Sequence, residues 1–155
     1  MPRRDGRTAA AGVNFPRMEK NYLGSCFCGT VRYEVSGAPR TLCYCHCESC
    51  RRAAGSPAVA WGTFERNAFR VTRGRITEFK SSPRVTRGFC AGCGSCLTYS
   101  HEARPADIDV TLATLAEVAH LAPTMHVWVA DKLPWVRIED GLPQFSTIPS
   151  AGTAS

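Results

Sequence analysis

The sequence has no run of apolar residues long enough to cross a lipid bilayer, which takes about 20 consecutive residues. It also has no charged segment followed by a long apolar core near its first residue, the pattern typical of a secretory signal. Internal repeats, coiled-coil heptads, phosphate-binding loops and low-complexity tracts are absent as well. These absences predict a soluble, cytoplasmic protein without a membrane partner.

Lysine is scarce, with three residues against sixteen arginines, and the net charge is +6. The basic charge is spread without a run, which favours a solvated mixed surface over a nucleic-acid interface.

A length of 155 residues fits one domain with a modest core. Residues 1–19 and 148–155 lack apolar periodicity and are predicted to be flexible tails around a body at 20–147. A bound metal would help to stabilise so small a core.

Short segments in which apolar and polar residues alternate predict an antiparallel all-β fold. The predicted strands are 30–36, 57–64, 69–74, 75–80, 84–89, 107–112, 123–130 and 134–138. One segment, 115–121, has a helical pattern instead, and a further turn is possible after the second cysteine group.

Cysteine is the residue type in excess, with nine copies. An odd number of cysteines without an export signal indicates a reducing compartment and argues against a disulfide framework. Eight of the nine lie in short groups with the spacing of metal ligands, and zinc is the metal that such groups favour. The groups are Cys26-x-Cys28, Cys43-x-Cys45-x-Cys47-x-x-Cys50 and Cys90-x-x-Cys93.

The first and last groups each offer two thiolates, and a closed structural zinc site takes four. The spacing of Cys26 and Cys28 places both sulfurs on one face of an extended segment. The glycines around Cys90 and Cys93 permit the tight turn that makes two sulfurs converge. We therefore predict one structural zinc on these four cysteines, the alternative being two unrelated, reduced turns.

The middle group predicts a different kind of site. Cys45, Cys47 and Cys50 supply three thiolates from one short segment, and zinc held by three protein ligands keeps a fourth position open. Cys43 lies on the same strand face and is the alternative fourth ligand. Three sulfurs on alternate positions of a straight strand span about 13 Å, whereas the edges of a zinc–sulfur tetrahedron are about 3.8 Å. The spacing therefore favours Cys43 as a bystander.

The other reactive side chains have weaker patterns. Cys96 is expected to be an ordinary core thiol. His46 should point away from its two cysteine neighbours, and His126 is expected to be a structural or surface histidine. Arg51 and Arg52 follow the middle group directly, where they either face solvent or recognise an anionic substrate near the metal.

Four segments together resemble one known family. In order, they are CFCGTVRYEV, CHCESCRRAAGS, FCAGCGSCLTY and HVWVADKLPWVRIEDGLPQF. Across about 22–145, the chain resembles the glutathione-dependent formaldehyde-activating enzyme family, to which centromere protein V also belongs. The resemblance implies an all-β, Mss-four-like zinc fold of several coiled antiparallel sheets with two Zn2+ per chain. The structural ion would be held by Cys26, Cys28, Cys90 and Cys93, and the open one by Cys45, Cys47 and Cys50.

The resemblance also implies an activity. It predicts a zinc-dependent carbon–sulfur lyase that reversibly joins glutathione and formaldehyde into S-hydroxymethylglutathione, with Cys45, Cys47 and Cys50 as ligands of the catalytic zinc. Three protein thiolates favour a soft sulfur ligand at the open position, so the expected partner is a small thiol such as glutathione. The alternatives are an enzyme acting on another thiol or electrophile, and a zinc-stabilised module that binds a protein or nucleic acid without catalysis.

Overall fold

The computed structural model describes residues 20–149, which form two β-sheets and one short α-helix. The strands are β1 (Asn21–Ser25), β2 (Arg32–Ser36), β3 (Thr41–Cys45), β4 (Val59–Glu65), β5 (Phe69–Arg73), β6 (Thr77–Ser82), β7 (Val85–Phe89), β8 (Cys96–His101), β9 (Asp107–Thr111) and β10 (His126–Val127), and the helix is α1 (Glu48–Ala54). The predicted all-β class is confirmed. No helix in this part of the chain is long and apolar enough to cross a membrane. Apart from residues 148 and 149, the predicted tails lie outside the described residues.

The strands divide between a small and a large sheet. The small sheet has the order β1-β2-β5, and the large sheet has the order β10-β3-β4-β9-β8-β7-β6. All neighbouring strands are antiparallel except β10 and β3, whose two-residue pairing is parallel. A parallel pair needs a long crossover connection, and here most of the chain lies between its two strands.

One cluster of buried side chains joins the two sheets. It includes Tyr33 and Val35 from β2 and Phe64, Leu97 and Val110 from the large sheet, each at most 1% exposed. Each such aliphatic or aromatic side chain contributes roughly 1.5–3 kcal/mol when it is fully buried. The alternation seen in the sequence therefore corresponds to a core shared by both sheets.

The helix predicted at 115–121 is wrong. Leu115 forms an isolated β-bridge with Gly24, and the Ala116 N–H donates to the Leu23 carbonyl at 2.7 Å. The Ala116 N–H is thus paired with β1 and not with a carbonyl of a helical ladder. Tertiary pairing overrides the local helical pattern here.

The other predicted strands agree with the structure in part. Six of them match within two residues at each end, whereas the segment at 123–130 is a strand only at His126–Val127. The predicted strand at 134–138 is wrong, because the Val136 N–H donates to the Leu133 carbonyl at 3.0 Å and closes a turn. Strands β1 and β8 were not among the predicted segments.

Candidate metal centres and the adjoining cavity

Four cysteine sulfurs converge where β1 ends and where β7 turns into β8. All of them lie within 4.8 Å of one another, and they belong to Cys26, Cys28, Cys90 and Cys93. The Cys28 sulfur is 3.5 Å from that of Cys26 and 3.8 Å from that of Cys90. The edges of a tetrahedral zinc–sulfur site are about 3.8 Å. The donor set and its spacing therefore fit a closed tetrathiolate zinc site, which we call the first cluster.

Local backbone geometry holds the two halves of the first cluster together. Gly29 and Gly94 follow the two cysteine pairs with φ angles of 73° and 75°, a left-handed conformation that favours glycine. The Phe27 N–H donates to the Ser95 hydroxyl oxygen at 3.0 Å and so links one turn to the other. Since β1 belongs to the small sheet and β7 and β8 to the large one, a metal here would join the two sheets.

Hydrogen bonds from its neighbours favour the thiolate form of Cys93. Its pKa is lowered to about 5, chiefly because the Ser95 hydroxyl and N–H donate hydrogen bonds to the thiolate, with a further contribution from Cys28. Metals bind the thiolate and not the thiol. The Ser95 contacts therefore favour the protonation state of Cys93 that ligation requires.

The second cluster consists of Cys45, Cys47 and Cys50, whose sulfurs also lie within 4.8 Å of one another. Cys45 ends β3, Cys47 caps the start of α1, and Cys50 lies in the first turn of that helix. The Cys47 sulfur accepts a hydrogen bond from the Cys50 N–H at 3.4 Å. The turn expected after this cysteine group is thus helix α1, which brings the third sulfur back toward the other two.

Protons are shared unequally among these three thiols. The pKa of Cys50 is lowered to about 3, because the Cys45 and Cys47 thiols donate to its sulfur and the charge of Arg87 favours the thiolate. The pKa of Cys45 is raised, because its thiol donates to both neighbours. A thiolate at Cys50 is the form that a soft metal such as zinc binds. The donor set of the second cluster therefore fits zinc as well.

Cys43 lies outside the second cluster. Within residues 20–149, no fourth cysteine, histidine or carboxylate joins the three sulfurs at the same spacing. Cys43 pairs with Trp61 on β4 and packs, half-buried, against the buried apolar group that contains Cys45 and Cys50. Burial raises the pKa of its thiol to about 12, which disfavours the thiolate. That Cys43 plays no part in metal binding stays a prediction.

An arginine on β7 contacts the second cluster, a contact that no pattern in the sequence indicates. Both terminal nitrogens of Arg87 donate to the Cys50 sulfur at 3.6 Å. Its Nε donates to the Ser81 hydroxyl at 3.2 Å, and its guanidinium lies 5.0 Å from the centre of the Tyr99 ring. Arg87 is only 7% exposed. The alternating pattern around it predicts a strand, but no pattern along one strand reveals a contact with another element.

Two buried histidines form a hydrogen-bonded chain behind the second cluster. Asp140 Oδ2 lies 2.8 Å from His126 Nε2, and His126 Nδ1 lies 2.8 Å from His46 Nε2. Both histidines are at most 5% exposed, and neither belongs to a metal-binding group among the described residues. If both rings are neutral, each Nε2–H donates along the chain, and His46 Nδ1 is an acceptor without a partner among residues 20–149. His126, which was expected to be a structural or a surface histidine, is buried and has a structural position.

The remaining candidates have ordinary contacts. The Arg51 Nε donates to the His46 carbonyl at 3.1 Å, so Arg51 fastens the cysteine-bearing loop. Arg52 pairs with Glu48 at 2.8 Å on the exposed face of α1. Cys96 is half-buried, packs against the buried apolar group that contains Cys45 and Cys50, and joins neither group of sulfurs.

A cavity of about 510 Å³ lies between α1 and the β6–β7 hairpin. Its lining includes Ser49, Arg52, Phe79, Arg87, Phe89 and Cys96. Small-molecule sites are typically clefts of about 300–1,000 Å³ with apolar walls and a few polar groups. Because Arg87 lines the cavity and also contacts Cys50, the cavity adjoins the second cluster.

The fold and the two clusters define a class: an all-β protein with two cysteine-rich candidate metal centres, one of four sulfurs and one of three. The chain matches the family described as glutathione-dependent formaldehyde-activating enzyme over residues 21–131. This chain therefore belongs to the glutathione-dependent formaldehyde-activating enzyme family. The matched range contains every residue of both clusters.

Two individual proteins are also similar. An uncharacterized lyase of Schizosaccharomyces pombe is 28% identical over 80 residues, which are 52% of this chain and 58% of that protein. The match thus spans less than two thirds of the curated relative. A Rhodobacter sphaeroides protein of known crystal structure has 23% identity and a TM-score of 0.52, covering 79% of this chain and 98% of that one. That likeness concerns the fold.

Proposed function

We propose that the protein is a zinc-dependent carbon–sulfur lyase acting on the adduct of glutathione and formaldehyde, S-hydroxymethylglutathione, or on a related thiol adduct. The second cluster is the observation that carries this proposal. It gathers three sulfurs without a fourth ligand among residues 20–149, and it adjoins a cavity large enough for a small molecule. Family membership and the lyase named in fission yeast support the same reaction class.

The number of ligands separates the two clusters in function. Four thiolates close a zinc site, whereas three leave a position for an exchangeable ligand. A zinc ion held by Cys45, Cys47 and Cys50 would supply positive charge at which a small thiol gives up its proton at neutral pH. The four sulfurs of the first cluster would hold a structural ion instead. Keeping both clusters reduced calls for a reducing compartment such as the cytoplasm.

The residues of the chain contribute binding and placement. Arg52 lines the cavity and offers positive charge to a carboxylate of a peptide thiol such as glutathione. Phe79 and Phe89 offer apolar surface to its methylene groups. In the cleavage direction, the carbon–sulfur bond returns its electron pair to sulfur while the hydroxyl oxygen loses its proton and the carbonyl forms. No oxidant or reductant is needed.

The experiment that tests this proposal is NMR exchange between glutathione and its hydroxymethyl adduct in the presence of formaldehyde. We expect the zinc-loaded protein to raise the exchange rate at least about tenfold over the spontaneous reaction, which corresponds to about 1.4 kcal/mol of transition-state stabilisation. The enhancement should scale with protein concentration. Cysteamine, a thiol without carboxylates, should be a poorer substrate, and added salt should reduce the difference between the two thiols.

The same experiment has an outcome that excludes the formaldehyde reaction. Glutathione that fails to bind at millimolar concentration, while both zinc ions are present, would show that the substrate is another thiol or that the chain is a zinc-stabilised binding module. A binding module has no need of an exchangeable metal position.

A further inference from the structure

We infer that Arg87 is a positioning residue for the second cluster: its buried guanidinium holds the Cys50 sulfur with two hydrogen bonds and supplies the positive charge that offsets the thiolates. The charge itself is the first argument. Burying a cation is costly unless an anion accompanies it. Arg87 is 7% exposed, and no aspartate or glutamate among residues 20–149 forms a salt bridge with it. The anionic partner at hand is the Cys50 sulfur.

The geometry of the guanidinium is the second argument. Both terminal nitrogens lie at the same distance, 3.6 Å, from one sulfur atom, so the planar group points its fork at Cys50. The Ser81 hydroxyl on β6 accepts a hydrogen bond from its Nε, and its guanidinium carbon lies over the Tyr99 ring on β8. Contacts from two neighbouring strands thus leave the side chain little rotational freedom. An arginine placed only to fill space would not need this alignment.

The positive charge of Arg87 balances the charge of a metal-loaded second cluster. Three thiolates and one divalent cation carry a net charge of −1, which the guanidinium brings to zero. Groups that donate hydrogen bonds to metal ligands orient those ligands and adjust the metal's affinity. Arg87 would also make the cluster more receptive to an anionic fourth ligand, a point that rests on the proposed function, whereas its effect on the metal does not.

The test measures metal affinity with Co2+ alone, by chelator competition, in Arg87→Met, Arg87→Lys and wild type. We expect Arg87→Met to lose about 10–100-fold in affinity at one of the two sites, the range typical of lost partners of metal ligands. Arg87→Lys keeps the positive charge but not the two terminal nitrogens of the planar guanidinium, so its loss of metal affinity should be smaller. The cobalt–sulfur absorption bands of the weakened site should shift in both variants. Arg84→Met, which removes an exposed arginine in the turn immediately before the same strand, should leave both affinities and the spectrum unchanged.

The first cluster serves as an internal control. Its ligand Cys90 follows Arg87 by three residues, so a variant that merely distorts β7 should weaken both sites alike. Equal loss at both sites, or wild-type affinity and spectrum in the two Arg87 variants, would overturn the inference. If Arg87→Met does not fold, Arg87→Lys alone tests the inference: a loss of metal affinity at one site supports it, and no such selective loss contradicts it. The cobalt measurement uses no thiol substrate. A wild-type protein that does not act on glutathione would therefore contradict the proposed function without affecting the role inferred for Arg87.

Discussion

Replacing Cys90 by serine is expected to give insoluble or metal-poor protein. The substitution removes one of four thiolates from the first cluster, where the ligands come from both sheets. Binding of a structural zinc contributes about 10–16 kcal/mol that is also folding free energy. The net stability of a typical domain is only about 5–15 kcal/mol. Losing even part of the metal's contribution should therefore unfold the chain, as measured by zinc content and thermal melting.

A matched control lies on the same hairpin. Cys96 follows the turn that carries Cys90 and Cys93, is half-buried, and belongs to neither group of sulfurs. Cys96→Ser should keep about two zinc ions and remain folded. A Cys90→Ser protein with full zinc content and wild-type melting would refute the structural assignment of the first cluster.

Cys47→Ser is expected to remove the zinc of the second cluster while the protein stays folded. Cys47 caps α1 by accepting a hydrogen bond from the Cys50 N–H. Serine is among the preferred residues at this position, so the helix should keep its cap. The variant should retain about one zinc ion per chain, and its exchange of the glutathione–formaldehyde adduct should fall to the spontaneous rate. Zinc analysis and the NMR exchange measurement check the two halves of this expectation.

The control for Cys47→Ser is the same substitution at Cys43. Cys43 packs against the buried apolar group that contains Cys45 and Cys50, and it does not belong to the second cluster. Cys43→Ser should keep about two zinc ions and change the free energy of unfolding by no more than about 0.5 kcal/mol, the usual range for tolerated substitutions. Loss of one zinc ion in Cys43→Ser would mean that Cys43 closes the second cluster, and the lyase proposal would fall with it.

The fold could be predicted from the sequence where the local pattern and the tertiary environment agree. Alternation in β2 corresponds to a strand whose apolar face is buried, as expected. In β9 the apolar residues are buried as expected, but so are Asp109 and Thr111 on the opposite face. The segment at 115–121 has a helical pattern, yet its backbone pairs with β1. Strand β10 has two residues and lies beside a segment from the end of the body, so its length depends on partners distant in the chain.

The candidate metal ligands could be predicted because their spacing is local. Cysteines two or three residues apart converge wherever the backbone turns, and the structure gathers the same seven sulfurs into two groups. The surroundings of the ligands could not be predicted. Arg87 reaches Cys50 across 37 positions of the chain, and the pairing of His46 with His126 spans 80. Such contacts follow from the order of strands in the sheet, which alternation does not determine.

Zinc-edge X-ray absorption with and without glutathione tests the central claim, that one site is closed and the other open. With four sulfurs in the first cluster and three in the second, the protein alone should show an average of about 3.5 sulfur ligands per zinc. Added glutathione should raise this average to about 4, and Cys47→Ser should abolish the increase. An average of 4 sulfurs per zinc before any thiol is added, unchanged by glutathione, would contradict the account.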